Sequence, residues 1–222
     1  MKPNAPVPPI TVKVCETFVS LQGEGTHVGL PTFFVRLSGC NLSCSWCDTL
    51  YAREEGTPLT IEEILIRWRE EGALPWVQIT GGEPLLQEGV YPLMEAFLDE
   101  GASVLLETNG SVSLARVPRR VIKIMDLKCP SSGMTQQMRW ENLAYLSSPD
   151  QVKFVIANRD DYEWARKVVE ERYLFLYTQV LFSPAYGLLK PQELAEWILE
   201  DRLRVRFQIQ LHKILWGEKR GV

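Results

Sequence analysis

No stretch of the 222 residues approaches the ~20 consecutive apolar residues that a membrane-spanning helix needs. An excess of positive charge is also missing. The formal net charge is −4 and the isoelectric point about 5.4, so there is no global electrostatic case for binding nucleic acid. The locally basic C-terminus (Arg202, Arg204, Arg206, Lys213, Lys219, Arg220) reads as a solvated charged face. Residues 1–10 lack the apolar run of a signal peptide and read as an extended, proline-rich leader. No short-period internal repeat is visible. Cysteines are few, odd in number at five, and mostly clustered. That pattern excludes a secreted disulfide framework and points to metal or redox chemistry in the cytoplasm. At 45% hydrophobic and 23% charged residues the composition is that of a globular protein, and the length suits one domain over 1–222.

Against these absences stands one dense feature. Cys40, Cys44 and Cys47 fall in a C-x3-C-x2-C spacing just after the apolar run 32–37. A strand that delivers three thiols onto one short loop is suited to a soft metal centre. A closed structural zinc site or a four-thiolate cluster needs a fourth ligand, and none follows at a usual spacing. The loop therefore predicts a centre with one open coordination position. A zinc loop completed by a distant ligand such as His212 or Cys129 is the alternative, because both metals accept cysteine.

The remaining chain reads as alternating strands and helices. Residues 12–18 alternate as a first strand and run into a polar loop holding Gly23 and Gly25, while Cys15 reads as a small core residue. Residues 51–58 read as a charged, irregular connection. Thr60 and Glu63 form a capping box before a helix with Ile61, Ile64, Leu65 and Trp68 on one face. Residues 76–80 make a buried-type strand ending in Gly81-Gly82-Glu83, with Pro84 in the first turn of the next helix. Further strands are predicted over 103–108, 121–128, 152–156, 175–182 and 205–211. Helices are predicted over 140–146, after a cap at Asp160 or Asp161, and over 191–199. This order predicts an α/β fold with a mostly parallel sheet. Polar or glycine-rich motifs recur at strand ends, at 40–47, 81–83, 107–110, 128–132 and 183–185, on the rim where barrels and open α/β sheets bind ligands.

The cysteine loop, with Trp46 before its last cysteine, resembles that of the radical S-adenosylmethionine (SAM) enzymes. Gly81-Gly82-Glu83-Pro84 is similar to that superfamily's G-G-E-P motif, and Glu107-Thr108-Asn109-Gly110 resembles a third strand end. The flanks narrow the resemblance. Residues 20–25, 34–42 and 47–49 and the ending His212-Lys213-Ile214-Leu215-Trp216 … Arg220-Gly221-Val222 resemble the 7-carboxy-7-deazaguanine synthase family over almost the whole chain. The resemblance implies an incomplete (β/α)6 TIM-like barrel. It implies a lyase that rearranges 6-carboxy-5,6,7,8-tetrahydropterin, by way of a 5′-deoxyadenosyl radical, to 7-carboxy-7-deazaguanine with loss of ammonia, on the route to queuosine. Its cofactors would be a 4Fe–4S cluster, SAM used catalytically, and Mg2+. A reductant such as flavodoxin or ferredoxin and a homodimeric state are also implied.

Carried over by position, Cys40, Cys44 and Cys47 would hold the cluster and Thr49 the Mg2+. Leu21, Gln22, Gly23, Arg36, Thr80, His212 and Val222 would contact substrate, the last two along the pterin's donor edge and in a tail spanning 205–222. Gly82, Glu83, Lys128, Ser183 and Pro184 would contact SAM. Without the resemblance, Thr49 would read as a capping or exposed threonine and His212 as a satisfied core histidine. Two rivals remain at this level: a glycyl-radical-enzyme activating protein, and a non-enzymatic iron–sulfur or zinc module. Arg36, Thr49 and the C-terminal ending speak against the first, and the strand-end motifs against the second.

Overall fold

The computed structural model describes residues 8–222. Of the expected leader, residues 1–7 lie outside the described residues, and 8–10 are exposed and without regular structure. The strands are β1 (Thr11–Leu21), β2 (Pro31–Leu37), β3 (Thr57–Thr60), β4 (Trp76–Gly81), β5 (Ser103–Thr108), β6 (Ile122–Asp126), β7 (Gln151–Ile156), β8 (Gln179–Pro184) and β9 (Arg206–Phe207). The α-helices are α1 (Ile61–Glu70), α2 (Val90–Asp99), α3 (Arg159–Glu171), α4 (Pro191–Glu200) and α5 (Leu211–Trp216).

Among the described residues the nine strands form one sheet in the order β3-β1-β2-β4-β5-β6-β7-β8-β9. From β2 to β9 every neighbour is parallel, while β1 runs antiparallel to both β2 and β3. The ends, β3 and β9, do not pair with each other, so the barrel stays open on one side. This is the incomplete, mostly parallel (β/α) barrel expected from the sequence. The β5–β6 and β6–β7 connections carry no α-helix, the latter being made of short 3-10 turns.

The parallel strands divide their faces by chemistry. Val77 and Ile79 of β4, and Val152 and Phe154 of β7, turn outward and pack in the core with Leu93, Met94 and Phe97 of α2 and Tyr162 and Val169 of α3. The intervening Gln78, Thr80, Lys153 and Val155 turn inward and line a cavity. The barrel interior is thus largely polar, and the apolar core lies between sheet and helices. In β1 the register slips between Val14 and Glu16, leaving Cys15 as the extra residue of a bulge. The bulge re-aims the rest of the strand, so that Phe18 stacks on Phe34 at 4.9 Å and reaches the cavity.

Several local expectations change. The capping box on α1 is present, with Thr60 N donating to Glu63 at 2.7 Å and Glu63 N to Thr60 Oγ1 at 3.2 Å. The cap of α3, however, is Asn158, whose Oδ1 accepts from Asp161 N at 2.9 Å; neither Asp160 nor Asp161 takes that place. Pro84 opens a 3-10 turn, and α2 begins only at Val90. Residues 140–145 form a 3-10 helix, and 57–60, at the end of the stretch read as irregular, form β3. The strand expected over 175–182 starts at Gln179, after a 3-10 turn. The strand expected over 205–211 shrinks to Arg206–Phe207, and His212 to Trp216 lie in α5. Cys15, expected in the core, is only part-buried.

Candidate active site

The cysteine loop leaves β2 at Gly39, whose φ of +91° needs glycine. It is held in place from outside. Ser45 N donates to Ser132 O at 3.2 Å, and Ser43 N to Met134 Sδ at 3.4 Å. Asn41 Nδ2 donates to Ser111 Oγ at 2.9 Å, and Arg53 Nη2 donates to Leu42 O. The Gly81-Gly82-Glu83 turn docks on the same loop: Gly82 N donates to Leu37 O at 3.2 Å and Glu83 N to Gly39 O at 2.8 Å. A Cβ on Gly81 would strike the Leu37 backbone, and one on Gly82 the Gly39 carbonyl. The two glycines are therefore a close approach between chain segments.

The three thiols are free, part-buried, and line one end of a cavity of about 560 Å3. That cavity gathers nearly every residue singled out in the sequence. Leu21, Gln22, Gly23, Arg36, Thr49, Thr80, Gly82, Lys128, His212 and Val222 all line it. Gln22 Nε2 donates to Gln78 Oε1 at 2.8 Å. Gly23 lies so close to His212 that a Cβ would meet Nδ1, which explains a glycine at this position. Arg36 Nε holds Glu16 at 2.7 Å. Thr49 Oγ1 donates to Asp48 Oδ1 at 2.7 Å. Enclosure pushes the Asp48 carboxyl up, but the Thr49 hydroxyl and the Lys213 and Lys153 ammoniums outweigh it and hold it below its ordinary value. Burial holds His212 below its ordinary value despite Glu24 and Asp48, favouring a neutral imidazole.

Three expected contacts lie elsewhere. Ser183 and Pro184 are buried in β8, and it is the following Ala185 and Tyr186 that reach the cavity. Glu83, 0% exposed, does not line it. Its carboxylate accepts from Asn109 N at 2.7 Å, Leu85 N at 3.0 Å and Thr108 Oγ1 at 2.9 Å, so it ties the β4 turn to the β5 turn. Burial raises the Glu83 pKa, and the two N–H donors work against that rise. Glu83→Gln would set an amide N–H2 against these donors. A loss of about 1–3 kcal/mol is expected, read from urea unfolding midpoints.

Sequence reasoning named Lys128 and the 107–110 strand end but missed Lys153, around which the charges lining the cavity gather. Lys153 Nζ lies 2.7 Å from Glu24, 2.5 Å from Glu107 and 3.6 Å from Asp126, and Lys128 Nζ lies 2.8 Å from Asp126. Burial opposes ionisation of Glu107, yet Lys153 beside it holds the carboxyl down at about 2. Burial likewise opposes the Lys153 charge, and Glu107, Glu24 and Asp126 reverse this and raise its pKa. The available signal was a lysine between Val152 and Phe154, because a charge inside an apolar strand needs partners. Asp126, only 7% exposed, keeps Oδ1 without any partner among the described residues.

Comparison with known proteins matches this arrangement. Residues 34–171 match the radical SAM superfamily model. A 7-carboxy-7-deazaguanine synthase of Koribacter versatilis is 43% identical over 95% of this chain and 100% of its own length. One from Chlorobaculum tepidum is 44% identical over 95% and 97%. The chain belongs to the 7-carboxy-7-deazaguanine synthase family of radical SAM enzymes. The crystal structure of QueE from Escherichia coli superposes with a TM-score of 0.75 at 22% identity, covering 91% of this chain and 95% of that one. SuiB of Streptococcus suis bound to S-adenosylmethionine shares the fold more loosely, with a TM-score of 0.55 at 14% identity over 80% and 50%.

Radical SAM enzymes carry a 4Fe–4S cluster and SAM, and the residues of this family member fit both. Among the described residues no three His, Cys, Asp or Glu side chains converge on one point. A cluster instead takes its thiolates at separate corners, as three free thiols around one end of a cavity can supply. Beside them, the orphaned Asp126 Oδ1 offers an acceptor to a ligand with N–H or O–H groups.

Proposed function

We propose that this chain, acting as one domain over 1–222, converts 6-carboxy-5,6,7,8-tetrahydropterin to 7-carboxy-7-deazaguanine with loss of ammonia, as a carbon–nitrogen lyase in queuosine biosynthesis. One observation carries the reading. The cysteine loop, the Gly82 edge, Arg36, Thr49 and the chain terminus open onto a single cavity whose floor bears charge of both signs. When bound, the cluster and SAM supply the one-electron chemistry that generates a 5′-deoxyadenosyl radical.

The protein's part is recognition, charge placement and exclusion of water. Arg36 is fixed through Nε on Glu16, and its Nη groups make no other hydrogen bond among the described residues, so they suit the pterin carboxylate. Gln22, Gly23, Thr80, His212 and Val222 line the cavity, where the first three would face the ring and the last two its donor edge. Lys128 suits the SAM carboxylate. Thr49 supplies a hydroxyl oxygen for Mg2+, next to a carboxylate that stays ionised at neutral pH, and a hard cation of this kind bridges readily to a substrate carboxylate. An external donor such as flavodoxin or ferredoxin would supply the electron. The enzyme would work as a homodimer in the reducing cytoplasm, where free thiols persist.

The deciding assay is anaerobic: reconstituted protein with a reductant, SAM, Mg2+ and carboxytetrahydropterin, followed by chromatography for the deazaguanine. Reductive SAM cleavage without that product would overturn the substrate assignment. Thr49→Ala is expected to lose Mg2+ stimulation while retaining SAM cleavage. An unchanged Mg2+ response would remove Thr49 from the metal site.

A further inference from the structure

The end of the chain takes an unusual course. Residues 218–222 all line the cavity; Glu218, Lys219 and Arg220 are exposed there, and Gly221 and Val222 are part-buried. Among the described residues no backbone hydrogen bond reaches 220–222. The side-chain hydrogen bond and ion pair of 220–222 among the described residues come from Arg220. The Arg220 guanidinium lies 3.3 Å from the centre of the Tyr51 ring, and its Nη2 is 2.7 Å from Glu55 Oε2. Both partners lie on the stretch that leaves the cysteine loop. Tyr51 is fixed in turn, since its hydroxyl donates to Glu16 at 2.9 Å, and Glu16 holds Arg36 at 2.7 Å. The Arg36 guanidinium is 5.9 Å from the same ring. Gly221, at a φ of +67°, passes beside Glu16, with the carboxylate 3.7 Å from where a Cβ would stand.

We propose that Arg220 is a positioning residue, a latch that docks the C-terminal segment on Tyr51 and Glu55 and thereby seats the Val222 carboxylate at the substrate end of the cavity. The chemistry suits a reversible latch. A stacked guanidinium and an exposed ion pair are each weak, and together they hold the tail closed by about tenfold over open. The platform is also assembled by the cysteine loop, because the same turn sends Arg53 back to the Leu42 carbonyl. Order in that loop and closure of the tail are therefore coupled. The substrate half of this proposal rests on the pterin reading above, whereas the latch itself does not.

The test has two independent readouts on reconstituted enzyme. Carboxypeptidase Y trimming followed by intact mass spectrometry measures how often the terminus is released. Steady-state kinetics measures what release does to the substrate. Arg220→Ala is expected to speed loss of Val222 about fivefold, as the open share rises to about half, and to raise KM for carboxytetrahydropterin about twofold as the closed share falls, with kcat unchanged. Arg220→Lys keeps the charge opposite Glu55 but not the planar stack, and should recover part of both effects. Tyr51→Leu should mimic Arg220→Ala from the other side of the contact. Arg116→Ala is the control, since Arg116 makes the same chemistry remotely, 4.0 Å over Tyr91 and 2.8 Å from Glu88, and should change neither readout. Trimming at the wild-type rate in both Arg220→Ala and Tyr51→Leu would overturn the latch. A fall in kcat at unchanged KM would overturn the positioning role. If the wild type makes no deazaguanine, the pterin reading fails while trimming still decides the latch.

Discussion

Lys153→Met is expected to cost about 3–5 kcal/mol of stability near neutral pH, because it leaves three carboxylates around a buried site with their common counter-ion gone. The sign follows from Glu107. Its carboxyl titrates at about 2 in the folded protein, against an ordinary 4.5. The stabilisation is thus fully present above about 4.5 and is lost as pH falls toward 2. That displacement corresponds to roughly 3 kcal/mol, in line with the direct expectation. Lys153 works in the other direction, since its raised pKa keeps its contribution present below the ordinary 10.5 and removes it only in strong alkali. Without Lys153, only the Thr80 hydroxyl and Lys128 are left to oppose burial at Glu107, so its carboxyl rises and the variant should recover stability as pH falls and the carboxyl takes up its proton. Urea unfolding at pH 7.5 and pH 5 reads this directly: the gap to wild type should narrow at pH 5. An equal gap at both pH values would mean that packing, and not charge, is what Lys153 supplies.

The second large effect is at Gly82. An added methyl group meets the Gly39 carbonyl and comes within 2.9 Å of Cys40 Cβ, and backbone has nowhere to yield. Relief requires parting the β4 turn from the cysteine loop, which breaks the 2.8 Å hydrogen bond from Glu83 N to Gly39 O. Overpacking of this kind costs about 1–3 kcal/mol. The functional loss should be larger, because Cys40 itself moves. Gly82→Ala is expected to bind well under half the iron of wild type after anaerobic reconstitution and to lose product formation in proportion. Full iron content with full activity would show that the loop accommodates the methyl group, and that the glycine is there for a bound ligand alone.

The two variants probe different layers of legibility. Gly82 was legible as a special position, read from its motif as a SAM contact, whereas its close approach to Gly39 emerged only in the fold. Lys153 could not be placed, since its partners stand 129, 46 and 27 positions away and only the register of parallel strands brings them together. Glu83 shows the same boundary from the other side. Its motif was visible, but the direction of its carboxylate depends on Thr108 and Asn109 of the neighbouring strand end, and these draw it away from the cavity. The alternating polar residues of 205–211 imitate a strand. The pairing with β8 ends at Phe207, past which Gln208 N still donates to Phe182 O at 2.9 Å while the Gln208 and Gln210 side chains reach Gly25 and Glu24, at 2.7 and 2.8 Å.

By itself, then, the sequence determined the alternation of strands and helices, the thiol loop at a strand end, and the family. Those features rest on local periodicity and on short motifs, which the chain carries within a few residues. Only the tertiary structure decided which strand-end residues face the cavity, how Lys153 gathers its carboxylates, and how Arg220 holds the terminus over Tyr51. Each of these depends on pairings across tens to more than a hundred residues, where sheet register and burial, and not sequence spacing, set which groups meet.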